Sequence, residues 1–202
     1  GDHILLLDGL GTVCTVRLTA LDTQALTGVV AQREPASGEL PIALHLYPAL
    51  IRPERFEWLL QKGTELGVSQ FVPVLFQRSL PADRATPAKL QRWQRIIREA
   101  AEQSCRGRLP HLHAPQPFAA ACQQAAATDL ALILWEGGAD TSPISSLRTT
   151  LRQANVAHAL AILSGPEGGI APEELTGAIE HGIMPVSFGS RILRAETAPI
   201  AA

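Results

Sequence analysis

The sequence has few of the residues on which disulfide-stapled or membrane-embedded proteins depend. Its three cysteines, Cys14, Cys105 and Cys122, are far apart and form no C-x-x-C pair, which argues against a disulfide framework and a thiolate zinc site. We therefore expect no metal and a reducing, cytoplasmic setting. No apolar run approaches the roughly 18 residues that a transmembrane helix needs, so we expect no membrane association.

The chain also lacks a positive net charge and is almost without lysine. Its 17 basic and 19 acidic residues give a formal charge of −2, so any contact with nucleic acid has to be local. Only Lys62 and Lys89 are lysines, and the other basic residues are arginines, whose planar guanidinium suits phosphates and base stacking. A lineage bias toward arginine explains the same excess equally well.

The first 34 residues carry three β-like runs, at 4–7, 12–18 and 28–32, separated by turn formers. Three strands bury little by themselves, so this unit is either the end of a larger barrel or packs on the rest of the chain. The turn-rich stretch 34–39 indicates a domain boundary. We predict a small β domain over 1–38 and a second domain over 39–202.

From Pro41 onward, strand and helix patterns alternate, which is typical of an α/β fold with a parallel sheet covered on both faces. The predicted strands cover 42–46, 71–76, 130–135, 158–163 and 184–188. The predicted helices run near 56–63, 90–104, 118–127, 144–153 and 172–181.

Ligands of such sheets bind beyond the carboxyl ends of the strands, and a glycine-rich loop comes directly after one of them. The run Gly165-Pro166-Glu167-Gly168-Gly169 lies between an apolar strand and a helix with Pro172 in its first turn. Glycines let a ligand approach the backbone closely. A tight turn between strand and helix explains them as well, and Ala171 cannot cap that helix through its side chain.

A second unusual loop, FGSRILRAETA over 188–198, comes after the last predicted strand. Apolar residues flanked by arginines could form the walls of an adenosine site, with the charged residues facing a substrate. The alternative is that Ile192 and Leu193 belong to the core and that Arg191 and Glu196 form a local ion pair.

The order and spacing of these two loops resemble the C-terminal motif of bacterial 16S ribosomal RNA uridine-N3 methyltransferases of the SPOUT class. Upstream elements resemble the same family: KGTELG from Lys62 to Gly67, Arg78-Ser79 after a strand, and QSCR from Gln103 to Arg106 with Pro110 beyond it. The resemblance covers most of residues 41–202. The segment before it looks like the remainder of a PUA-like RNA-binding barrel whose opening is absent, and the last helix stops early.

The resemblance implies a SPOUT fold with a C-terminal trefoil knot, a homodimer, and transfer of a methyl group from S-adenosylmethionine to N3 of a uridine in the 16S ribosomal RNA of the small subunit. The cofactor would be held by three loops, largely through the backbone. Their residues are Trp135, Glu136, Leu163, Gly165, Pro166, Glu167, Gly168, Phe188, Gly189, Arg191, Ile192 and Leu193.

Roles in the chemistry are assigned from the same resemblance and from residue type. Glu196 is our candidate for contacting or deprotonating the imide, and Arg194 for orienting the base or stabilising its anion. The alternative is that these two residues merely pair.

Arg78, Gln103 and Arg106 are candidates for RNA contact, because they come after strand or helix ends and carry planar polar groups. Arg106 could instead complement a helix C-terminus.

Two other functions remain open at this point. One is a noncatalytic RNA-binding or ribosome-assembly protein of the same fold. The other is an enzyme that binds a nucleotide phosphate at 165–169, although the P-loop lysine that should come after the glycines is missing.

Overall fold

The computed structural model describes residues 1–80, 86–137 and 145–202. In chain order its strands are β1 His3–Leu7, β2 Thr12–Leu21, β3 Leu26–Pro35, β4 Ala43–Pro48, β5 Gln70–Phe71, β6 Val74–Leu75, β7 His111–Leu112, β8 Gln116–Pro117, β9 Leu130–Leu134, β10 Ser145–Ser146, β11 Ala159–Ser164 and β12 Met184–Ser187. Its helices are α1 Pro53–Glu65, α2 Pro87–Gln103, α3 Phe118–Ala125, α4 Leu147–Gln153, α5 Pro172–Glu180 and α6 Ala198–Ala201.

The larger sheet is parallel throughout, with the strand order β10-β12-β9-β11-β4-β5-β7. Its central strands β9 and β11 are almost wholly apolar and buried, as expected for strands covered on both faces. The predicted α/β fold with a parallel sheet is confirmed.

Helices α1 and α2 pack against each other beside this sheet. Phe56 and Trp93 meet with ring centroids 4.5 Å apart, and both rings are buried. Helix α1 begins only a few residues after β4 ends, so its first turn lies at the carboxyl edge of the sheet. Lys62 and Glu65 pair within α1, with Nζ 2.8 Å from Oε1.

Two of the predicted elements differ from the structure. The single strand predicted over 71–76 is two short strands, β5 and β6, in different sheets. Pro73 lies between them and has no N–H to donate to a ladder. The helix predicted over 144–153 begins at Leu147, where Ser146 accepts a hydrogen bond from Thr149 N–H; Ile144 lies outside the described residues.

The described ranges contain no helix with both the length and the hydropathy needed to cross a bilayer. The same ranges contain no cluster of three His, Cys, Asp or Glu side chains placed to hold a metal ion.

The first three strands form a separate antiparallel sheet that adjoins the segment after α2. Gly11 N–H donates to the Gly107 carbonyl at 2.9 Å, and Leu109 N–H donates to the Gly9 carbonyl at 3.0 Å. In this sheet only Val16 is buried. The backbone of 107–109 therefore joins the N-terminal sheet to the rest of the chain.

The buried side chain of Arg106 stabilises that junction. Its Nη1 donates to the carbonyls of Thr64 and Val68 at 3.1 and 2.6 Å, and its Nη2 lies 2.6 Å from Oε2 of Glu39. The other oxygen of Glu39 accepts a hydrogen bond from Arg108 N–H. The guanidinium thus links the last turn of α1 to the segment just after the N-terminal sheet.

The pKa of Glu39 reflects this environment. Burial alone would raise the pKa, but the hydrogen bonds from the Arg106 side chain and the Arg108 backbone, with the charges of both arginines, outweigh it and hold the pKa below its ordinary value. A carboxyl with a lowered pKa stabilises the fold above its unfolded-state pKa, and this stabilisation is lost as pH falls through the folded-state value.

We predict that Glu39→Gln lowers the free energy of unfolding at pH 7 by about 2 kcal/mol, because it leaves the nearly buried Arg106 without its carboxylate. Urea unfolding measures this loss, and the gap to the wild type should shrink as pH falls through the lowered pKa. The exposed Glu102→Gln is the charge-matched control. An equal effect of both substitutions, or a gap independent of pH, would contradict the assignment.

Candidate active site

The register of the parallel sheet brings several strand ends to one level. Leu134 of β9 lies opposite Ser164 of β11 on one side and Val186 of β12 on the other. Ser164 in turn lies opposite Pro48 of β4. The loops after β9, β11 and β12, and the first turn of α1, therefore meet at one edge.

These loops enclose a cavity of about 320 Å³, which we call the three-loop cavity. The lining consists of Arg55, Leu134, Trp135, Glu136, Ser164, Gly165, Pro166, Glu167, Gly169, Ile170, Phe188, Gly189, Arg191, Ile192, Leu193, Arg194, Ala195 and Ala198. Ten of the twelve residues predicted to hold a cofactor are in this lining. The volume of the cavity and its mixed polar and apolar lining are those of a small-molecule site.

The other two predicted cofactor residues, Leu163 and Gly168, lie outside the lining. Leu163 is fully buried in the core of the sheet. Gly168 faces Arg78: its carbonyl accepts a hydrogen bond from Arg78 Nη1 at 3.1 Å, and a Cβ at this position would approach the Arg78 Cβ to 3.1 Å.

The glycine-rich loop 165–169 is both a tight turn and a cavity wall. A Cβ on Gly165 would come within 2.5 Å of Ile170 Cγ1, and Gly169 has a φ of +74°, a conformation that costs other residues energy. Gly169 N–H closes the turn by donating to the Pro166 carbonyl at 2.9 Å. The tight turn is thus confirmed, and the approach of a ligand to these glycines stays a prediction.

Glu174 fixes this loop to its neighbour. Since Ala171 has no side chain that can cap α5, Glu174 acts from within the helix: its Oε2 accepts a hydrogen bond from Ala171 N–H at 3.1 Å, and its Oε1 accepts one from Gln77 N–H at 2.7 Å. The segment that carries Arg78 is thereby tied to the start of α5. The glutamate three residues after Ala171 was the sequence signal for this half of a capping box.

Four charged residues from three segments form what we call the arginine–glutamate cluster: Arg55, Glu167, Arg194 and Glu196. Arg55 Nη1 lies 3.4 Å from Glu167 Oε1, and Arg55 Nε lies 3.6 Å from Glu196 Oε1. Arg194 Nη1 reaches the same Glu196 oxygen only at 4.0 Å. The closer partner of Glu196 is thus Arg55, and a simple pair with Arg194 describes the geometry poorly.

Glu196 differs from the other carboxylate of the cluster in its burial. Its side chain is only 13% exposed, and its Oε2 is buried without a hydrogen-bond partner among the described residues. A buried acceptor without a partner is costly unless a ligand or water satisfies it. This oxygen sets Glu196 apart within the cluster, although Glu196 itself is not among the residues that line the three-loop cavity and lies just behind Arg194 and Ala195 in the chain.

Sequence reasoning missed Arg55, although a positional signal existed. It lies in the first helical turn after β4, and residues just beyond parallel strands are the expected ligand-binding positions. No glycine-rich or otherwise unusual run surrounds it in the sequence.

The three residues predicted to contact RNA are not brought together. Arg78 adjoins the glycine-rich loop and is exposed, whereas Gln103 is the exposed last residue of α2. Arg106 is buried and donates to the Thr64 carbonyl in the last turn of α1. It therefore complements a helix C-terminus, which was the alternative to RNA contact, but the helix is α1 and not the preceding α2. Contact between Arg106 and RNA stays a prediction that these bonds do not favour.

The thiol of Cys122, which lies near Glu174, is a poor candidate for a nucleophile. Burial, with the charge of Glu174, raises the pKa of Cys122 to about 12. The thiol therefore stays protonated at neutral pH.

Residues 38–202 match a family model described as an RNA methyltransferase domain. The chain belongs to this RNA methyltransferase family. The family match includes all three loops of the cavity and the arginine–glutamate cluster.

Individual members of the family are similar along the whole chain. Ribosomal RNA small subunit methyltransferase E of Synechocystis is 38% identical, over 100% of this chain and 64% of its own length. The protein of the same name from Bacillus subtilis is 30% identical, over 99% of this chain and 79% of its own length. The chain thus spans a little under two thirds of the Synechocystis relative.

A solved structure has the same fold. The ribosomal RNA small subunit methyltransferase E of Neisseria gonorrhoeae, bound to S-adenosyl methionine, superimposes with a TM-score of 0.88 at 31% identity, over 99% of this chain and 80% of that chain.

We predict that Gly169→Ala lowers the free energy of unfolding by about 1 kcal/mol, because alanine is strained at positive φ. The same change at Gly177, which lies within α5 with open space around it, should raise the free energy of unfolding by roughly 0.5 kcal/mol. Urea unfolding of both variants measures the two signs. Equal effects would contradict the role given to the loop backbone.

Proposed function

We propose that this protein transfers a methyl group from S-adenosylmethionine to N3 of a uridine in 16S ribosomal RNA of the small subunit. The observation that carries the proposal is the three-loop cavity, built at the aligned ends of β9, β11 and β12 in a chain of the RNA methyltransferase family. The resemblance of the two C-terminal loops to the uridine-N3 methyltransferases is the basis for choosing N3 of uridine as the methylated atom and 16S ribosomal RNA as the substrate.

The residues of the cavity fit the proposed methyl donor. Leu134, Ile170 and Leu193 offer apolar surface for an adenine, and the loop backbones offer donors and acceptors. Ile170 packs so close to Gly165 that no larger residue fits at position 165, and the backbone of this wall is therefore not covered by a side chain of its own. Charged groups at the opening, including Glu136 and Arg191, suit the amino and carboxylate ends of the donor.

Bound S-adenosylmethionine supplies an electrophilic methyl group on a sulfonium centre. The residues of the chain then have to align the imide nitrogen with that methyl and remove its proton. Glu196 is our candidate for the second task, because it comes directly after the lining residues Arg194 and Ala195 and its Oε2 has no partner among the described residues. Arg194, which is exposed at the cavity opening, is suited to stabilise the anionic base.

Exclusion of water supports the same step. The imide anion and the sulfonium neutralise each other toward the transition state, so a dry and preorganised site favours transfer. The apolar residues Phe188, Ile192 and Leu193 line the cavity beside Arg194. Alignment and desolvation, in addition to the proton acceptor, therefore account for the rate in this proposal.

The topology supports a knotted C-terminus as part of the proposal. Strand β12 lies between β9 and β10, although β9 and β10 are consecutive strands in the chain. After β12 the chain passes back beyond β9, and α6 contacts α1 and β11. This strand order is compatible with the trefoil knot that the family resemblance implies, a topology that is otherwise very rare.

We further propose that the protein works as a homodimer in the cytoplasm, with a PUA-like N-terminal domain over 1–38 and the catalytic domain over 39–202. Ile192 lines the cavity yet is 75% exposed, and a second subunit over this position would complete the site. The cytoplasmic location is proposed because the substrate is ribosomal RNA. Arg78, which is exposed beside the glycine-rich loop, is our candidate for contact with the RNA backbone.

We predict that the full chain binds S-adenosylmethionine in isothermal titration calorimetry and methylates small subunits from a strain that lacks the corresponding methylation. Mass spectrometry of digested 16S ribosomal RNA should then show a new N3-methyluridine and no new ribose methylation. Absence of cofactor binding would leave the noncatalytic RNA-binding alternative, and binding of ATP or GTP in its place would favour the nucleotide-phosphate alternative. Transfer to another base would contradict only the substrate.

We predict that Glu196→Gln lowers kcat by about 100-fold, the contribution expected of one positioned proton acceptor, and changes the Kd for S-adenosylmethionine less than about threefold. Single-turnover methyl transfer and calorimetry separate the two effects. The exposed Glu180→Gln is the control for loss of one carboxylate. A kcat within about twofold of the wild type would remove Glu196 from the mechanism.

A further inference from the structure

Arg55 lies where two loops of the site meet, yet it belongs to neither loop. Phe56 and Leu59, its neighbours in α1, are fully buried, so the backbone that carries Arg55 is part of the packed core. Its own side chain is about one third exposed and points to the two carboxylates of the arginine–glutamate cluster. A rigid helix thus presents a guanidinium to the loops 165–169 and 188–198.

The two carboxylates that face Arg55 come from different loops. Glu167 belongs to the glycine-rich loop, and Glu196 belongs to the loop after β12. One planar guanidinium with several N–H groups can hold two carboxylates at once in fixed directions, whereas a lysine ammonium holds them as a point charge without that geometry. Arg55 therefore bridges the two loops, through a hydrogen bond to Glu167 at 3.4 Å and an ion pair with Glu196 at 3.6 Å that is not a hydrogen bond.

The contact also determines which oxygen of Glu196 is paired and which is not. Oε1 faces both Arg55 and Arg194, whereas Oε2 is the buried oxygen without a partner in the described part of the chain. Without Arg55, the remaining cation is 4.0 Å away on a side chain that is 75% exposed. Such an exposed pair contributes little to ordering a carboxylate.

We propose that Arg55 is a positioning residue, which holds Glu196 by Oε1 so that Oε2 is left unpaired for the proposed proton transfer, and which ties the glycine-rich loop to the same point through Glu167. This inference rests on the proposed methyl transfer. It adds a residue on α1, outside the three loops, and assigns it an effect that runs through Glu196.

The test compares Arg55→Gln with Arg52→Gln. Arg52 lies one turn earlier, at the exposed N-terminal boundary of the same helix, so both variants lose one arginine charge from neighbouring positions. We expect Arg55→Gln to lower kcat for methyl transfer by about 10-fold or more while the Kd for S-adenosylmethionine rises less than about threefold. Arg52→Gln should leave both unchanged, and Arg55→Lys should recover only part of kcat.

A double-substitution cycle separates positioning from general loss of structure. In the Glu196→Gln background, Arg55→Gln should lower kcat by no more than about twofold, because its effect acts through the glutamate. A full loss of about 10-fold in that background, or no loss in the wild-type background, would overturn the inference.

Hydrogen exchange of the ligand-free protein gives a readout that does not depend on activity. The N–H groups of Gly169 and Thr197 are hydrogen-bonded within the two loops, and both should exchange about threefold faster in Arg55→Gln than in Arg52→Gln. Unchanged exchange at both sites would overturn the bridge between the loops. A wild-type chain that neither binds S-adenosylmethionine nor transfers a methyl group would refute the proposed function, whatever the exchange data show.

Discussion

Parallel pairing of β9 with β11 on one side and β12 on the other is the interaction on which the site depends. Leu134 lies level with both Ser164 and Val186, so three loops leave the sheet at one height and one edge. The pairing of β11 with β4 brings the start of α1 to the same edge. A shift of one residue in any of these registers would displace a cavity wall by about 3.3 Å along the strand and reverse its side chains.

The charges of the site are balanced by the same arrangement. The three-loop cavity is lined by Arg55, Arg191 and Arg194 together with Glu136 and Glu167, and Glu196 lies beside Arg55 just outside the lining. Arg55 faces carboxylates from two loops at 3.4 and 3.6 Å, while Glu174 joins the glycine-rich loop region to Gln77. The loops are thus fixed by contacts from α1 and α5, which are anchored in the core.

Much of the fold was predictable because its physical signals are local. The apolar runs of β9 and β11 and the periodicity of α2 are set by residues close in sequence. The division of 71–76 depended on Pro73, and the role of Arg106 depended on Thr64, Val68 and Glu39, which are distant in the chain. Loop order and family resemblance located most of the cavity lining, but an ordinary helical position such as Arg55 acquires its partners only through tertiary contacts.

A crystal structure of the protein with S-adenosylhomocysteine, the product that methyl transfer would leave, would show directly whether the three-loop cavity is the methyl-donor site. We expect ordered ligand within this cavity, in contact with 134–136, 164–170 and 188–195, and Glu196 Oε2 facing the open side where a base would enter. Ligand bound elsewhere, or a Glu196 turned away from that opening, would contradict the proposed site.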